Sequence, residues 1–119
     1  MGLFWQLTGK NEASSQAEVD IDVATAQLLQ QQGAQLIDVR EPDEFRAGHA
    51  VGARNIPLRE LRQRLDEIPS DKTVLLICQS GSRSWSAQRQ LQHLGLTDVR
   101  NVLGGTSAWH YARLPMQAG

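Results

Sequence analysis

Cysteine is almost missing from this chain of 119 residues, and the single one, Cys78, excludes any internal disulfide. No Cys/His set with zinc spacing exists either, because His49, His93 and His110 are scattered, so the chain asks for no metal. A surplus of one charge is lacking as well: 12 basic residues stand against 13 acidic ones, without a basic cluster, which excludes the electrostatic footprint of nucleic-acid binding or of an anionic membrane surface. There is no apolar run of membrane-spanning length. The apolar start, residues 1–7, is too short for a signal peptide and is followed by no small-residue cleavage site, so a cytoplasmic location is expected. Met1-Gly2 fails as a myristoylation signal because position 6 is Gln6. Neither internal repeats nor low-complexity tracts occur. The length suits one domain that buries roughly two-thirds of its unfolded-chain surface, and a second domain does not fit.

Two parts can be read along the chain. Residues 1–18 form a tail, in which Leu3-Phe4-Trp5 is either a hydrophobic tag or part of a loose end, and residues 8–18 have linker composition. The domain proper, residues 19–119, opens with a short strand at 19–21, after which Asp22 is an N-cap for a helix over 23–32 that Gly33 ends. A strand is expected at 36–39. Pro42 at a first helical position, beside Glu41, Asp43 and Glu44, starts a short helix that Gly48 stops. Residues 54–56 read as a brief strand. Leu58, Leu61, Leu65 and Ile68 lie three or four apart, on one face of a helix that ends before Pro69, and Arg59, Arg62 and Arg64 form its solvated side. Further strands at 74–77 and 99–102 and a last helix over 106–113 complete the pattern. Five strands alternating with helices predict an α/β sandwich around a parallel sheet. Trp109 is expected in the core, whereas Trp85 suits either a pocket rim or packing.

One stretch carries the chemistry. Val74-Leu75-Leu76-Ile77 reads as a strand buried on both faces, stopping at Cys78. A polar loop follows, and then a helix from Ser84 whose Ala87, Leu91 and Leu94 recur at helical spacing up to Gly95. Cys78 thus sits before a helix N-terminus, where unpaired backbone N–H groups and the helix dipole hold anions. Gly81 allows the loop amides to converge as a nest, and Arg83 adds a charge; both favour a thiolate. A lone Cys ending an apolar strand is ordinarily an inert core residue. Three hydroxyls, one Gly and one Arg in the next six positions suit a core poorly, which favours a nucleophile.

The segment Cys78-Gln79-Ser80-Gly81-Ser82-Arg83-Ser84 resembles the active loop of the rhodanese-like sulfurtransferases: a Cys, four residues, an Arg, then a small residue opening a helix. Two more blocks are similar to that family, residues 36–57, with Asp38, Arg40, Glu44, Gly48 and His49, and residues 102–109, with Gly104, Gly105 and Trp109. The resemblance covers roughly residues 19–115. It implies a single-domain, three-layer rhodanese-like sandwich with a five-stranded parallel sheet and helices on both faces. The implied activity is that of a thiosulfate sulfurtransferase working without a cofactor. A small sulfur-donor anion such as thiosulfate would load Cys78 as a persulfide, and cyanide or a thiol, including a protein thiol, would accept the sulfur. Cys78 is the catalytic residue on this reading, and Gln79, Ser80, Gly81, Ser82, Arg83 and Ser84 bind substrate. Asp38, Arg40 and Glu44 match charged positions of the family and are expected as structural support, with Arg40 pairing Glu44 to brace its loop. His49 is expected to be a hydrogen-bonded structural residue. Many active members carry a second Arg directly after the Cys, where this chain has the uncharged Gln79. The family usually has Ile and often Pro where Ala50-Val51 stand, read as a packing variation.

Two other classes of function compete. Cys-based phosphatases also set a Cys and an Arg around an amide cradle, but with five intervening residues, and the tighter ring of four here should not admit a tetrahedral phosphate. A non-catalytic interaction module would have no need of Cys78 and Arg83.

Overall fold

The computed structural model of the chain describes residues 19–119; the expected tail, with Leu3, Phe4 and Trp5, lies outside them. The apolar run forms strand β5 (Val74–Ile77), and its four side chains are fully buried. Pleating turns successive residues to opposite faces. Val74 and Leu76 enter one apolar cluster with Ile37, Leu61 and Leu91, while Leu75 and Ile77 enter another with Leu36, Val102 and Trp109. Burying a Leu or Ile stabilises by about 1.5 to 3 kcal/mol, so this two-sided packing fixes where β5 ends and its loop begins.

Around β5 lie β1 (Asp20–Ile21), β2 (Gln35–Asp38), β4 (Arg54–Asn55) and β6 (Val99–Val102), in the order β1-β6-β5-β2-β4, every neighbouring pair parallel. On the Trp109 face sit α1 (Val23–Gln31) and α4 (Gly105–Tyr111), contributing Ala26 and Trp109 to that cluster. The other face is covered by α3 (Ser82–His93) through Ala87 and Leu91. Helices therefore cover both faces of a five-stranded parallel sheet, as expected. Asp22 caps α1 by accepting from Thr25 N at 2.8 Å. Helix α2 (Pro42–Ala47) follows β2 and starts at its proline.

Two features differ from expectation. Residues 58–68 are not one α-helix but two 3₁₀ segments, Leu58–Glu60 and Arg62–Glu67. Arg64 leaves helical geometry at φ −121°, ψ 29°, its guanidinium engaged by Glu60 and Glu67, and Ile68 is extended because Pro69 follows it. The apolar spacing still serves the core, with Leu61 and Ile68 buried. The second difference is a small antiparallel sheet, β3 (His49–Ala50) with β7 (Met116–Gln117), too short to leave a periodic signal. His49 is buried there: Nδ1 lies 2.7 Å from the Phe45 carbonyl oxygen, Nε2 lies 3.2 Å from Gln117 Nε2, and its ring stacks on Phe45 at 3.6 Å. That is the structural role expected of it.

Candidate active site

Cys78 follows the last residue of β5 and is a buried free thiol. The chain turns at Gly81, whose φ of +111° lies in the left-handed region that favours glycine, and α3 begins at Ser82. The turn folds the loop back over the sulfur: Gly81 N donates to Cys78 Sγ at 3.1 Å, and Ser84 Oγ lies 3.3 Å from it. Burial pushes the Cys78 thiol up. Hydrogen bonds from the Ser84 side chain and from the backbone of Ser84, Gly81 and Ser80 outweigh that, so its pKa lies below the ordinary value. A thiolate held by several donors in a ring is the species this geometry favours.

Ser84 has one proton and three acceptors. Its Oγ lies 2.5 Å from Asn101 Oδ1, 3.2 Å from the Gly81 carbonyl oxygen and 3.3 Å from Cys78 Sγ, and Asn101 in turn donates from Nδ2 to Asp20 at 3.1 Å. With Cys78 as a thiol, the hydroxyl can donate to Asn101 and accept from S–H; once Cys78 ionises, it can turn to the sulfur.

From the other side the loop rests on α4. Thr106 N and Oγ1 both donate to the Cys78 carbonyl oxygen, at 2.7 and 2.9 Å, and Ser107 N donates to the Gln79 carbonyl oxygen at 3.1 Å. So close an approach requires glycine at the start of α4. A Cβ on Gly105, at φ +57°, would lie 2.5 Å from the Cys78 carbonyl oxygen and 2.7 Å from the Gln79 carbonyl carbon.

Charged side chains form a collar around this cradle. Arg40 does not pair with Glu44 as expected. Its side chain grips both Asp38 carboxylate oxygens, with Nε 3.0 Å from Oδ1 and 3.1 Å from Oδ2 and Nη2 2.8 Å from Oδ2, and also donates to the Gly48 carbonyl oxygen and to Gln79 Oε1. The reason is burial: Asp38 is wholly enclosed, and a buried carboxylate needs its countercharge within reach. Glu44 is taken by Arg83 instead, in a bidentate pair of 2.8 and 2.9 Å. The capping box of α2 orients it, since Glu41 N donates to Glu44 Oε1 at 3.0 Å. The hydrogen bonds from Arg83 lower the Glu44 pKa to about 2.

The structure thus gathers Cys78, Gln79, Ser80 and Gly81 of the loop with Ser82, Arg83 and Ser84 of the first turn of α3, which begins two residues before the expected Ser84, and sets Asp38, Arg40 and Glu44 beside them. Ser84 is buried against the sulfur, whereas Gln79, Ser80 and Ser82 are exposed. Gln79 is tied on both sides, accepting from Arg40 Nη1 at 3.1 Å and donating to Ser107 Oγ at 2.8 Å. A depression of about 570 Å³ opens here, lined by Arg40, Glu44, Gln79, Ser107 and Tyr111 among others. Sequence reasoning missed Asn101, Gly105, Thr106 and Ser107 as parts of the site. A glycine pair followed by Thr and Ser after a strand was the available signal, because it marks a helix start made for close backbone approach. Asn55, which binds the Asp38 and Arg40 carbonyl oxygens at 3.0 and 2.9 Å, left no such signal. Among the described residues, no three His, Cys, Asp or Glu side chains gather to hold a metal ion, and no helix is long and apolar enough to cross a membrane.

Residues 23–112 match the model of the rhodanese-like domain. The chain is 36% identical over 100 residues to thiosulfate sulfurtransferase GlpE of Vibrio cholerae, covering 84% of this chain and 93% of that protein. It is 54% identical over 76 residues to the uncharacterized protein YqhL of Bacillus subtilis, covering 64% of this chain and 60% of that relative. Among solved structures, a rhodanese-related protein from Thermoplasma volcanium superposes with a TM-score of 0.77 at 32% identity, over 84% of this chain and 98% of that one. The sheet order, the Cys78 loop and these likenesses agree, and the chain belongs to the rhodanese-like family.

Proposed function

We propose that this chain is a sulfurtransferase that carries sulfane sulfur on Cys78, with thiosulfate as a donor and cyanide or a thiol as the acceptor. The observation that carries the reading is the position of Cys78 Sγ, 3.1 Å from Gly81 N within a ring of donors that favours the thiolate. The thiolate attacks the outer sulfur of thiosulfate; the S–S bond of the donor breaks, and sulfite leaves with the bonding pair. Cys78 then bears a persulfide, whose terminal anion the loop amides hold as they held the thiolate. In the second half the acceptor's lone pair attacks the outer sulfur, the new S–S bond breaks, and the Cys78 thiolate returns. Cyanide gives thiocyanate, and a thiolate gives a persulfide. Both half-reactions balance without a cofactor.

The exposed Gln79, Ser80 and Ser82 supply donors to the anion as it enters, and Ser84 serves the sulfur from below. Arg83 contributes to the field at the mouth while its Glu44 pair braces the loop. With one cysteine to keep reduced, the reading takes the cytoplasm as its setting. Mixing the protein with thiosulfate and cyanide should release thiocyanate, and Cys78→Ser should abolish the release with the circular dichroism spectrum unchanged. Turnover that survives Cys78→Ser would refute the reading.

A further inference from the structure

From Arg83 runs a groove whose other lining residues the sulfur chemistry leaves unused. Two depressions share Arg62 and Gln90: one of about 370 Å³ reaches Arg83 of the active loop, and one of about 590 Å³ continues past Trp85 and Arg89 to His93 and Leu94. The groove therefore starts in the active loop itself. Trp85 adjoins Ser84, the residue that touches Cys78 Sγ, yet is 48% exposed. Its ring lies under Arg89, whose Cζ is 5.0 Å from the ring centroid.

Charge sets this groove apart. Among the described residues, every arginine except Arg62, Arg89 and Arg113 has a carboxylate within ion-pair distance. Two of those three line this one groove, while Glu41, a carboxylate that also lines it, is engaged by Arg59. By contrast, the depression on the Gln79 side holds Arg40, whose charge Asp38 balances. Two arginines with no carboxylate partner among the described residues, beside an exposed Trp and Leu, are complementary to a chain segment that mixes carboxylates with apolar side chains.

The geometry points to this groove as the docking track of a protein acceptor, whose reactive cysteine is flanked by acidic and apolar residues. Carboxylates of the partner meet Arg62 and Arg89, an apolar side chain lies on Trp85 and Leu94, and the cysteine is delivered over the loop. Its thiolate attacks the outer sulfur of the Cys78 persulfide; the S–S bond breaks toward Cys78, and the partner leaves as a persulfide. The inference rests on the sulfurtransferase reading and names the acceptor class.

The test uses the full chain, loaded with thiosulfate, and two synthetic cysteinyl peptides of equal length. One carries Glu and Leu around the cysteine; the other has Lys in place of Glu. Transfer to the acidic peptide should be faster in kcat/KM by on the order of tenfold at low salt, and added salt should erode the difference. Arg62→Glu combined with Arg89→Glu should reverse the preference while transfer to cyanide stays unchanged. Equal rates for the two peptides, or a preference that the double substitution does not move, would overturn the inference. Calorimetry with Ser replacing Cys in the acidic peptide reads docking apart from chemistry, and absence of binding overturns the docking track alone. Failure of cyanide to take sulfur from the treated chain would instead strike the sulfurtransferase reading. A dimer in sedimentation that the double variant converts to monomer would assign the groove to a second copy of the chain, and would likewise overturn the inference.

Discussion

Beneath Cys78 the contacts are made by backbone amides and one buried hydroxyl, whereas around it they are made by long charged side chains that have already found one another. The two regions differ in what they can give an incoming anion. Gly81 N, Ser84 Oγ and their neighbours point at the sulfur and lower its pKa. In the collar, Asp38 balances Arg40 and Glu44 balances Arg83, so each cation meets a carboxylate before it meets a substrate. Charge there holds shape, and dipoles in the cradle favour the Cys78 thiolate. The cradle should therefore be intolerant of small changes and the collar forgiving.

The harshest test of that contrast is one methyl group on Gly105. Gly105→Ala places a Cβ against the backbone of Cys78 and Gln79 at a positive φ, and should cost on the order of 3 kcal/mol or more. Thermal unfolding should move down by roughly 10 °C or more, and sulfur transfer should be lost with it. A variant of unchanged stability would mean that the loop does not depend on α4.

Ser84→Ala should leave the fold in place but remove a donor from the thiolate. Hydrogen bonds to charged groups contribute about 1.5 to 3 kcal/mol, so the rate of donor attack at neutral pH should fall by about tenfold or more. Because the lost bond had lowered the pKa, the pH–rate profile should shift to higher pH and recover in alkali. A uniform loss at all pH values would deny Ser84 that role.

The smallest effect belongs to the collar. Glu44→Gln breaks the pair with Arg83, but both side chains are more than a third exposed, at 36% and 37%, so solvent screening limits the loss to under about 1 kcal/mol. The folded-state pKa of Glu44 is depressed to about 2 from 4.5, so its stabilisation is complete above pH 4.5 and disappears as pH falls toward 2. Urea unfolding should show a constant gap between variant and parent above pH 4.5, closing below it. A gap that widens on acidification would reverse the assignment.

What was legible in the sequence follows the same division. The apolar run into Cys78, Gly81, the spacing of Ala87 and Leu91 and the Asp22 cap are local patterns, and local geometry carries them into the fold. Partner choice among charges is not local. Glu44 and Arg83 stand 39 residues apart, and whether Arg40 takes Asp38 or Glu44 depends on which carboxylate the fold encloses. The two 3₁₀ segments at 58–67 carry apolar spacing that an α-helix would share, so spacing alone does not separate them. Asn101 and Thr106 read as ordinary strand and helix residues until β6 and α4 bring them to the loop.

The central claim is that the cradle stabilises sulfur anions on Cys78, and intact-protein mass spectrometry after incubation with thiosulfate tests it most directly. The account predicts a species heavier by one sulfur atom, absent from Cys78→Ser and removed by cyanide. An adduct of the same mass on Cys78→Ser, or none with any sulfane donor, would contradict it.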